Sequence, residues 1–420
     1  MICGAIKKYT SLLLFLVPIA LFLCLKRIKE NKIIEDLFVK EKLIPKYLVK
    51  EIDCSRIFNK DYHYIDHLIS LEKESNLSFK QKSDSEYAEV ESNCENYRKS
   101  FVTDYLSYEE ASFPIAFQIV MYKDVAQLEI LLKEIYRPQN EYCIHVDRKS
   151  NIDIQYGVRS IAKCFSNIEV IDPIDSVDVR WSKFTNLEPE IICARNLWKR
   201  KTKWKYLINL TGQEFPLQTM YDIVQILKAF NGSNSIQGTV KGIIKSRFEG
   251  VKDFGRNVVV MKGAVHIIAQ RGYIDYILHN KTAIDFLSWV RQVKHPDETY
   301  FASLNHSPKL KVPGSYLGKV DSSDYPFLTR YKNWKQNGEY CYGKRVRSIC
   351  IFGMKDIPAL STLDYIFANK FHINYQPYAL QCMAELIRNR TIYQHIGLRK
   401  FDVQLYKNLD MSHNHYGPNV

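Results

Sequence analysis

The sequence predicts an α/β protein in which helices cover both faces of a mostly parallel sheet. From residue 113 onward, apolar strand-like runs alternate with amphipathic helical segments, and the links between them are short. Strand, helix and strand joined in this way imply parallel pairing and a right-handed crossover. Of the 420 residues, 46% are apolar, so the chain can bury a large core.

The elements follow one another without internal repeats or low-complexity segments. The predicted strands are 114–122, 141–147, 167–172, 204–210, 256–270 and 346–353, and the predicted helices are 124–136, 187–198, 273–293 and 378–390. Ligands of such sheets bind beyond the carboxyl ends of the strands. The segments that end at Asp147, Glu214 and Gly353 are therefore the first places to look for a site.

The N-terminal part is of a different kind. An apolar run at 9–25 lies between Lys7-Lys8 and Lys26-Arg27, and its length suits a short membrane-spanning helix. No small-x-small cleavage site follows, so an uncleaved signal anchor is favoured, with a cleaved signal peptide as the alternative. The predicted organisation is a cytoplasmic tail 1–8, an anchor 9–25, a luminal stem 26–112, a catalytic domain 113–405 and a C-terminal tail 406–420.

Cysteines and sequons indicate a luminal location. Eight cysteines lie beyond the anchor without a CxxC pair, a pattern that an oxidising compartment would pair; free thiols in the cytosol are the alternative. Candidate N-glycosylation sites are Asn76, Asn231, Asn280, Asn305 and Asn389. A further sequon at Asn209 lies in a strand-like stretch and is not expected to carry a glycan.

The formal charge of +13 is compatible with nucleic acid, anionic lipid or an acidic ligand. None of the usual nucleic-acid-binding modules is present, and a luminal location argues against nucleic acid. An anionic small molecule therefore remains a plausible class of ligand for the positively charged chain. The sequence contains no GxGxxG, no P-loop and no pair of aspartates separated by one residue, so neither a dinucleotide nor a DxD-held metal under a diphosphate is indicated.

One acidic stretch, "HPDETYFASL", stands at 295–304. Pro296, Asp297 and Glu298 have the composition of an ordinary helix start, because proline fits the first turn and carboxylates complement the helix dipole. Phe301 and Leu304 would then face the core. Local rules favour this helix start. The alternative is that the turn holds a carboxylate where chemistry occurs.

Five blocks together resemble the β-1,6-N-acetylglucosaminyltransferase family of core 2 and I-branching enzymes, glycosyltransferase family 14. They are "FPIAFQIVMYKDVAQLEILLKEIYRPQNEYCIHVDRKS", "WKYLINLTGQEFPLQT", "HPDETYFASL", "VRSICIFGMKDIPAL" and "YIFANKF". The resemblance implies a disulfide-stabilised, Rossmann-like GT-A fold and a Golgi type II membrane protein. It also implies an inverting, metal-independent transfer of GlcNAc from UDP-GlcNAc to the GalNAc (or Gal) 6-hydroxyl of Galβ1-3GalNAc on Ser or Thr.

The resemblance also implies roles for single residues. Glu298 is the expected catalytic base, and Arg347 and Lys370 are the expected cations at the UDP diphosphate. They would supply the positive charge that a metal supplies in DxD enzymes. Asp147 matches a position on the uridine side of the donor, although an aspartate there also suits capping of the strand-to-loop turn.

The acceptor side matches less closely. Trp334 fits a sugar-stacking tryptophan, and Lys245 and Arg247 fit a basic pair, but Gln336 and Gln237 stand where a tyrosine and an acidic residue are expected. The acceptor can therefore differ from the usual disaccharide, although glutamine still accepts a hydrogen bond from a sugar hydroxyl. A UDP-glucose donor and a catalytically silent, lectin-like luminal protein are the alternatives.

The cysteine separations also match the family. They imply four bridges: Cys54–Cys382, Cys94–Cys164, Cys143–Cys193 and Cys341–Cys350. The first of these would tie the stem to the C-terminal helix.

Overall fold

The computed structural model describes residues 49–74, 77, 79–101, 107–322 and 326–417. The predicted tail 1–8, the predicted anchor 9–25 and the sequon at Asn76 lie outside these residues. Across the described part of the chain, no helix is both long enough and apolar enough to cross a membrane.

Eleven strands lie in the described residues. They are β1 (Ile115–Met121), β2 (Glu141–Val146), β3 (Ile168–Val170), β4 (Tyr206–Thr211), β5 (Glu214–Pro216), β6 (Ser235–Thr239), β7 (Lys262–Gln270), β8 (Arg330–Tyr331), β9 (Lys344–Val346), β10 (Ile349–Ile351) and β11 (Phe367–Asn369). The central sheet has the order β3-β2-β1-β4-β7-β6; β5, β11 and β8 form a second sheet, and β9 and β10 form a hairpin.

The α-helices of the same residues are α1 (Cys54–Phe58), α2 (Tyr62–Lys73), α3 (Cys94–Arg98), α4 (Tyr108–Ala111), α5 (Val125–Ile135), α6 (Ile152–Lys163), α7 (Glu188–Lys199), α8 (Met220–Ala229), α9 (Arg271–His279), α10 (Lys281–Trp289), α11 (Tyr300–Asn305), α12 (Ile357–Leu360), α13 (Pro377–His395) and α14 (Gln404–Lys407). Local sequence explains several ends. Thr219 and Asp222 form a capping box at the start of α8, which satisfies backbone donors that the first turn leaves open.

The mostly parallel sheet is confirmed. Strands β3, β2, β1 and β4 pair in parallel, whereas β7 runs antiparallel to both β4 and β6. Residues of β1 alternate between two apolar clusters. Phe117 and Ile119 face the cluster that contains α5, α6, α8 and α13, and Ala116 faces the one that contains α7, α9, α10 and α11. Helices therefore cover both faces, as the sequence predicts.

Three predicted elements differ from the structure. The strand predicted at 256–270 is shorter, because β7 covers only Lys262–Gln270. The single helix predicted at 273–293 is two helices, because Asn280 ends α9 and caps α10 through its side chain, which accepts from the Thr282 backbone N–H. The strand predicted at 346–353 is interrupted at Arg347 and Ser348. Both residues have positive φ, 48° and 69°, and form the two-residue turn between β9 and β10.

The predicted stem and the predicted C-terminal tail belong in part to the folded body. Ile52, Ile57 and Tyr87 lie in the same apolar cluster as β1, and so do Tyr406 and Met411. The folded body therefore includes residues before 113 and after 405. All four predicted disulfides are present: Cys54–Cys382, Cys94–Cys164, Cys143–Cys193 and Cys341–Cys350.

The described sequons differ in burial. Asn231, Asn280 and Asn389 are partly exposed and stay candidates for N-glycosylation. Asn305 is fully buried, and its Oδ1 accepts a hydrogen bond from Asn234. A glycan at Asn305 would break this contact and the packing around it, so that prediction is wrong. Asn209 is buried in β4, in agreement with the expectation that it carries no glycan.

Candidate active site

Glu298 lies on a short turn that the chain holds in a defined orientation. His295 has φ 56°, and Pro296–Glu298 form one 3₁₀ turn ahead of α11. The helix-start composition is thus reflected in the structure, although the turn is separate from the helix that it precedes. Phe301 and Leu304 are buried, as expected.

Two cations hold the carboxylate of Glu298. Arg247 Nη1 donates to Glu298 Oε2 at 2.6 Å, and Lys262 Nζ lies 3.9 Å from the same oxygen. No hydrogen bond or ion pair within the described residues engages Oε1, and the side chain is 26% exposed. Charge-assisted bonds of this kind fix orientation, so one oxygen is anchored and the other is available to a ligand. We refer to Glu298, Arg247 and Lys262 as the base half of the site.

The neighbour of Glu298 is buried. Asp297 accepts a hydrogen bond from Asn186 Nδ2 at 2.5 Å, and its Oδ1 has no partner among the described residues. Burial raises the pKa of Asp297 to about 6, and the charge of Glu298 contributes in the same direction. Two residues before Asp297, the His295 ring contacts the Trp181 ring edge-on, with 4.6 Å between the ring centroids. Trp181 is 73% exposed, so an open aromatic surface lies close to the base half.

Arg347 and Lys370 form what we call the cation half. Arg347 is exposed at the tip of the β9–β10 hairpin, and Lys370 is half-buried directly after β11. Within the described ranges neither makes an ion pair with a carboxylate. Burial lowers the pKa of Lys370, Lys123 and Arg347 lower it further, and the buried Glu214 raises it. The two predicted cations are therefore close enough for their charges to interact.

A buried network centred on Glu214 lies next to Lys370. Arg330 Nε donates to Glu214 Oε2 at 2.5 Å, and His266 Nε2 and Asn369 Nδ2 lie 2.7 Å and 3.1 Å from Oε1. Burial acts to raise the pKa of Glu214, but the Arg330 guanidinium and the hydrogen bond with His266 hold it well below its ordinary value. Asn369 immediately precedes Lys370, so this network fixes the backbone that carries the cation.

Lys332 is influenced by the charge of Glu298 and by the Glu214 network. Burial lowers its pKa to about 8, whereas the negative charges of Glu214 and Glu298 both raise it. Lys332 therefore lies in the electrostatic field of the base and of the buried network at once. Sequence reasoning missed Lys262, Lys332 and Glu214 as site residues, and only the position of Glu214 at the end of a predicted strand pointed toward it.

The remaining predicted residues have separate surroundings. Asp147 directly follows β2, and its Oδ1 accepts from the Lys149 backbone N–H at 3.0 Å, so it does cap the turn; its donor role stays a prediction. Trp334 pairs with Ile349 beside the hairpin turn that carries Arg347. Lys245 is exposed and lies at the opposite end of a 3₁₀ turn from Arg247, and only Arg247 meets Glu298.

Among the described residues, no group of three or more histidine, cysteine, aspartate or glutamate side chains is placed to hold a metal ion. What the site does contain is a carboxylate with one free oxygen and a set of cations at the ends of strands in an α/β sheet. Chemically, such a carboxylate can take a proton from one substrate, and such cations can hold an anionic one.

Comparison with known proteins gives the family. The Core-2/I-Branching enzyme family matches residues 115–361. A beta-1,3-galactosyl-O-glycosyl-glycoprotein beta-1,6-N-acetylglucosaminyltransferase of Homo sapiens is 31% identical over 374 residues, which are 81% of this chain and 86% of that protein. The Bos taurus protein of the same name is 30% identical over 371 residues, again 81% and 86%. The chain belongs to the Core-2/I-Branching enzyme family and is a glycosyltransferase.

A third relative, numbered 4 under the same name, comes from Danio rerio. It is 32% identical over 325 residues, which cover 71% of this chain and 74% of that protein. The residues matched by the family include Arg247, Lys262, Glu298 and Arg347, whereas Lys370 lies beyond them.

Proposed function

We propose that this glycosyltransferase transfers GlcNAc from UDP-GlcNAc in β1,6 linkage to the 6-hydroxyl of GalNAc (or Gal) in Galβ1-3GalNAc on Ser or Thr. The reaction inverts the configuration at the anomeric carbon of the sugar and needs no divalent metal. The proposed fold is of the GT-A type. The names of the relatives support the choice of donor and acceptor. The observation that carries the proposal is Glu298, which keeps Oε1 free while Arg247 and Lys262 engage Oε2.

The chemistry assigned to these residues is a single displacement. Glu298 Oε1 takes the proton of the acceptor hydroxyl as that oxygen forms a bond to C1 of the sugar. The bond from C1 to the UDP oxygen breaks, and UDP leaves with the electron pair. Arg347 and Lys370 stabilise the negative charge that develops on the diphosphate. Because UDP departs as an anion, no second carboxylic acid is required, unlike in a glycosidase.

A transfer assay tests the proposal. The full chain is incubated with labelled UDP-GlcNAc or UDP-glucose and an aryl Galβ1-3GalNAc acceptor in EDTA, and NMR of the product gives linkage and anomeric configuration. We expect GlcNAc transfer in EDTA and a β1,6 product. Complete dependence on added Mn²⁺ would contradict the metal-independent route. Preferred transfer of glucose would instead support a glucosyltransferase, and donor binding without transfer a lectin-like protein.

We propose that the enzyme works in the Golgi lumen as a single-pass type II membrane protein anchored by residues 9–25. Four disulfides support an oxidising compartment, because such bridges persist in the secretory pathway and are rare in the cytosol. N-terminal sequencing of protein from secreting cells tests the anchor. A membrane form that begins at Met1 is expected, and a soluble form cleaved after residue 25 would contradict it.

A further inference from the structure

Two further lysines flank the segment that follows β11. Lys123 comes just after β1, and its neighbour Asp124 accepts a hydrogen bond from Asn374 Nδ2 at 3.1 Å. Lys344 starts β9, and its Nζ lies 4.4 Å from the centroid of the Tyr375 ring. Three chain segments that are distant in sequence therefore meet around residues 370–375. Each of them brings a cation.

The pKa of His372 is influenced by all three of these cations. Its ring is half-buried, and burial is the main cause that lowers its pKa to about 4; the charges of Lys123, Lys370 and Lys344 lower it further. Three ammonium groups thus act on one imidazole. The opposing charge comes from Asp124, which pairs with Lys123 at 3.1 Å, and from the buried Glu214, which raises the pKa of Lys370. Lys344 has no ion pair within the described part of the chain.

A diphosphate is a class of ligand that suits this group of positive charges, because it is an anion. An intact UDP-sugar carries about two negative charges, whereas free UDP carries nearly a third at neutral pH because its terminal phosphate has a second pKa of about 6. Negative charge therefore grows on the diphosphate as the bond to the sugar breaks. Cations that are already in place stabilise this growing charge more than the starting charge.

We propose that Lys123 and Lys344 complete a four-cation diphosphate site with Arg347 and Lys370, and that they favour departing UDP over the intact UDP-sugar. The assignment rests on the proposed function, since it takes the ligand to be a uridine diphosphate. Lys123 acts from the carboxyl end of β1, and Lys344 acts from the base of the hairpin whose tip carries Arg347. The donor would thus be enclosed from two sides.

Calorimetric titration of the full chain with UDP, UDP-GlcNAc and uridine tests the assignment. The variants are K123Q and K344Q, with K123R and K344R as charge-preserving partners and K309Q as a control at an exposed lysine. We expect each glutamine variant to weaken UDP binding about fivefold, in the range of partly exposed charge pairs. UDP-GlcNAc should weaken by about twofold and uridine not at all, and the arginine variants should restore UDP binding.

Three results would overturn the assignment in distinguishable ways. UDP affinity unchanged in both glutamine variants would show that neither lysine meets the diphosphate. Equal weakening of UDP and UDP-GlcNAc would remove the preference for the leaving group. If the wild-type chain binds neither nucleotide while remaining folded by circular dichroism, the proposed function itself fails, and this assignment fails with it.

Discussion

The base half and the cation half of the site differ in how their charges are balanced. In the base half, the carboxylate of Glu298 is paired with Arg247 at 2.6 Å and faces Lys262 at 3.9 Å. In the cation half, Arg347 and Lys370 have no carboxylate partner in an ion pair within the described residues. The carboxylate of the base half therefore has cationic partners without a ligand. The cations of the cation half have no such anionic partner among the described residues.

This difference indicates what each half contributes. A paired carboxylate has a fixed orientation, which is what a base needs because proton transfer depends on geometry first. Neighbouring cations repel one another: burial is the main cause that lowers the pKa of Lys370, and the charges of Lys123 and Arg347 lower it further. A bound diphosphate relieves that repulsion. The base half is thus suited to orient a neutral acceptor, and the cation half is suited to bind an anion.

The largest expected effect comes from removing the base. E298Q keeps the size of the side chain but cannot take a proton, so transfer should fall by about 10²- to 10⁴-fold. UDP affinity should stay within about twofold, since the cation half is untouched. Initial rates of labelled GlcNAc transfer and calorimetric UDP binding measure the two quantities. E249Q, at an exposed glutamate, is the control, and wild-type transfer by E298Q would show that the base is another group.

Removal of the cations should have the next largest effect. R347A and K370A each take away one charge at the diphosphate, and we expect UDP to bind about 10- to 100-fold more weakly in each. The dependence of UDP affinity on salt should also become shallower, because fewer charges are involved. Calorimetry at several ionic strengths measures both quantities, with K309A as the control. An unchanged salt dependence in both variants would contradict the role of the cation half.

A third prediction tests whether pairing orients the base. R247Q leaves Glu298 in place but removes its shortest contact, so transfer should fall about tenfold while UDP affinity is kept. Because Arg247 is also predicted to bind the acceptor, KM and kcat must be separated. A fall in kcat at saturating acceptor supports orientation of Glu298, and a rise in KM alone supports an acceptor contact. R247K should recover part of the rate, since a charge remains near Oε2.

Sequence pattern and family resemblance named Glu298, Arg347 and Lys370 as candidate site residues, but not how the charged side chains pair. The alternation of strands and helices predicted the sheet, and the strand ends pointed to Glu214. Lys262 and Lys332 were missed because a lysine in a strand or loop has no local signature; it becomes a site residue only when distant segments meet. Arg347 was predicted on a strand, yet its positive φ places it at a hairpin tip.

The smallest effect on transfer is expected at Asp297, where the readout is stability. Its pKa rises from an ordinary 3.8 to about 6 in the folded protein, so the folded state holds the proton more tightly than the unfolded chain. The stabilisation from this proton is present below about pH 4 and is lost as the pH rises through 6. At about 1.4 kcal/mol per pKa unit, the loss at pH 7.5 is at most about 3 kcal/mol.

D297N keeps the shape of the protonated side chain and can still accept from Asn186, so it should be more stable than wild type at pH 7.5. This advantage should shrink at pH 4.5, where Asp297 is protonated in the folded wild type. Urea unfolding at the two pH values measures the difference, and transfer should change by less than about threefold. A stability difference that does not vary with pH would mean that Asp297 is ionised in the fold, and that the base half contains two charged carboxylates.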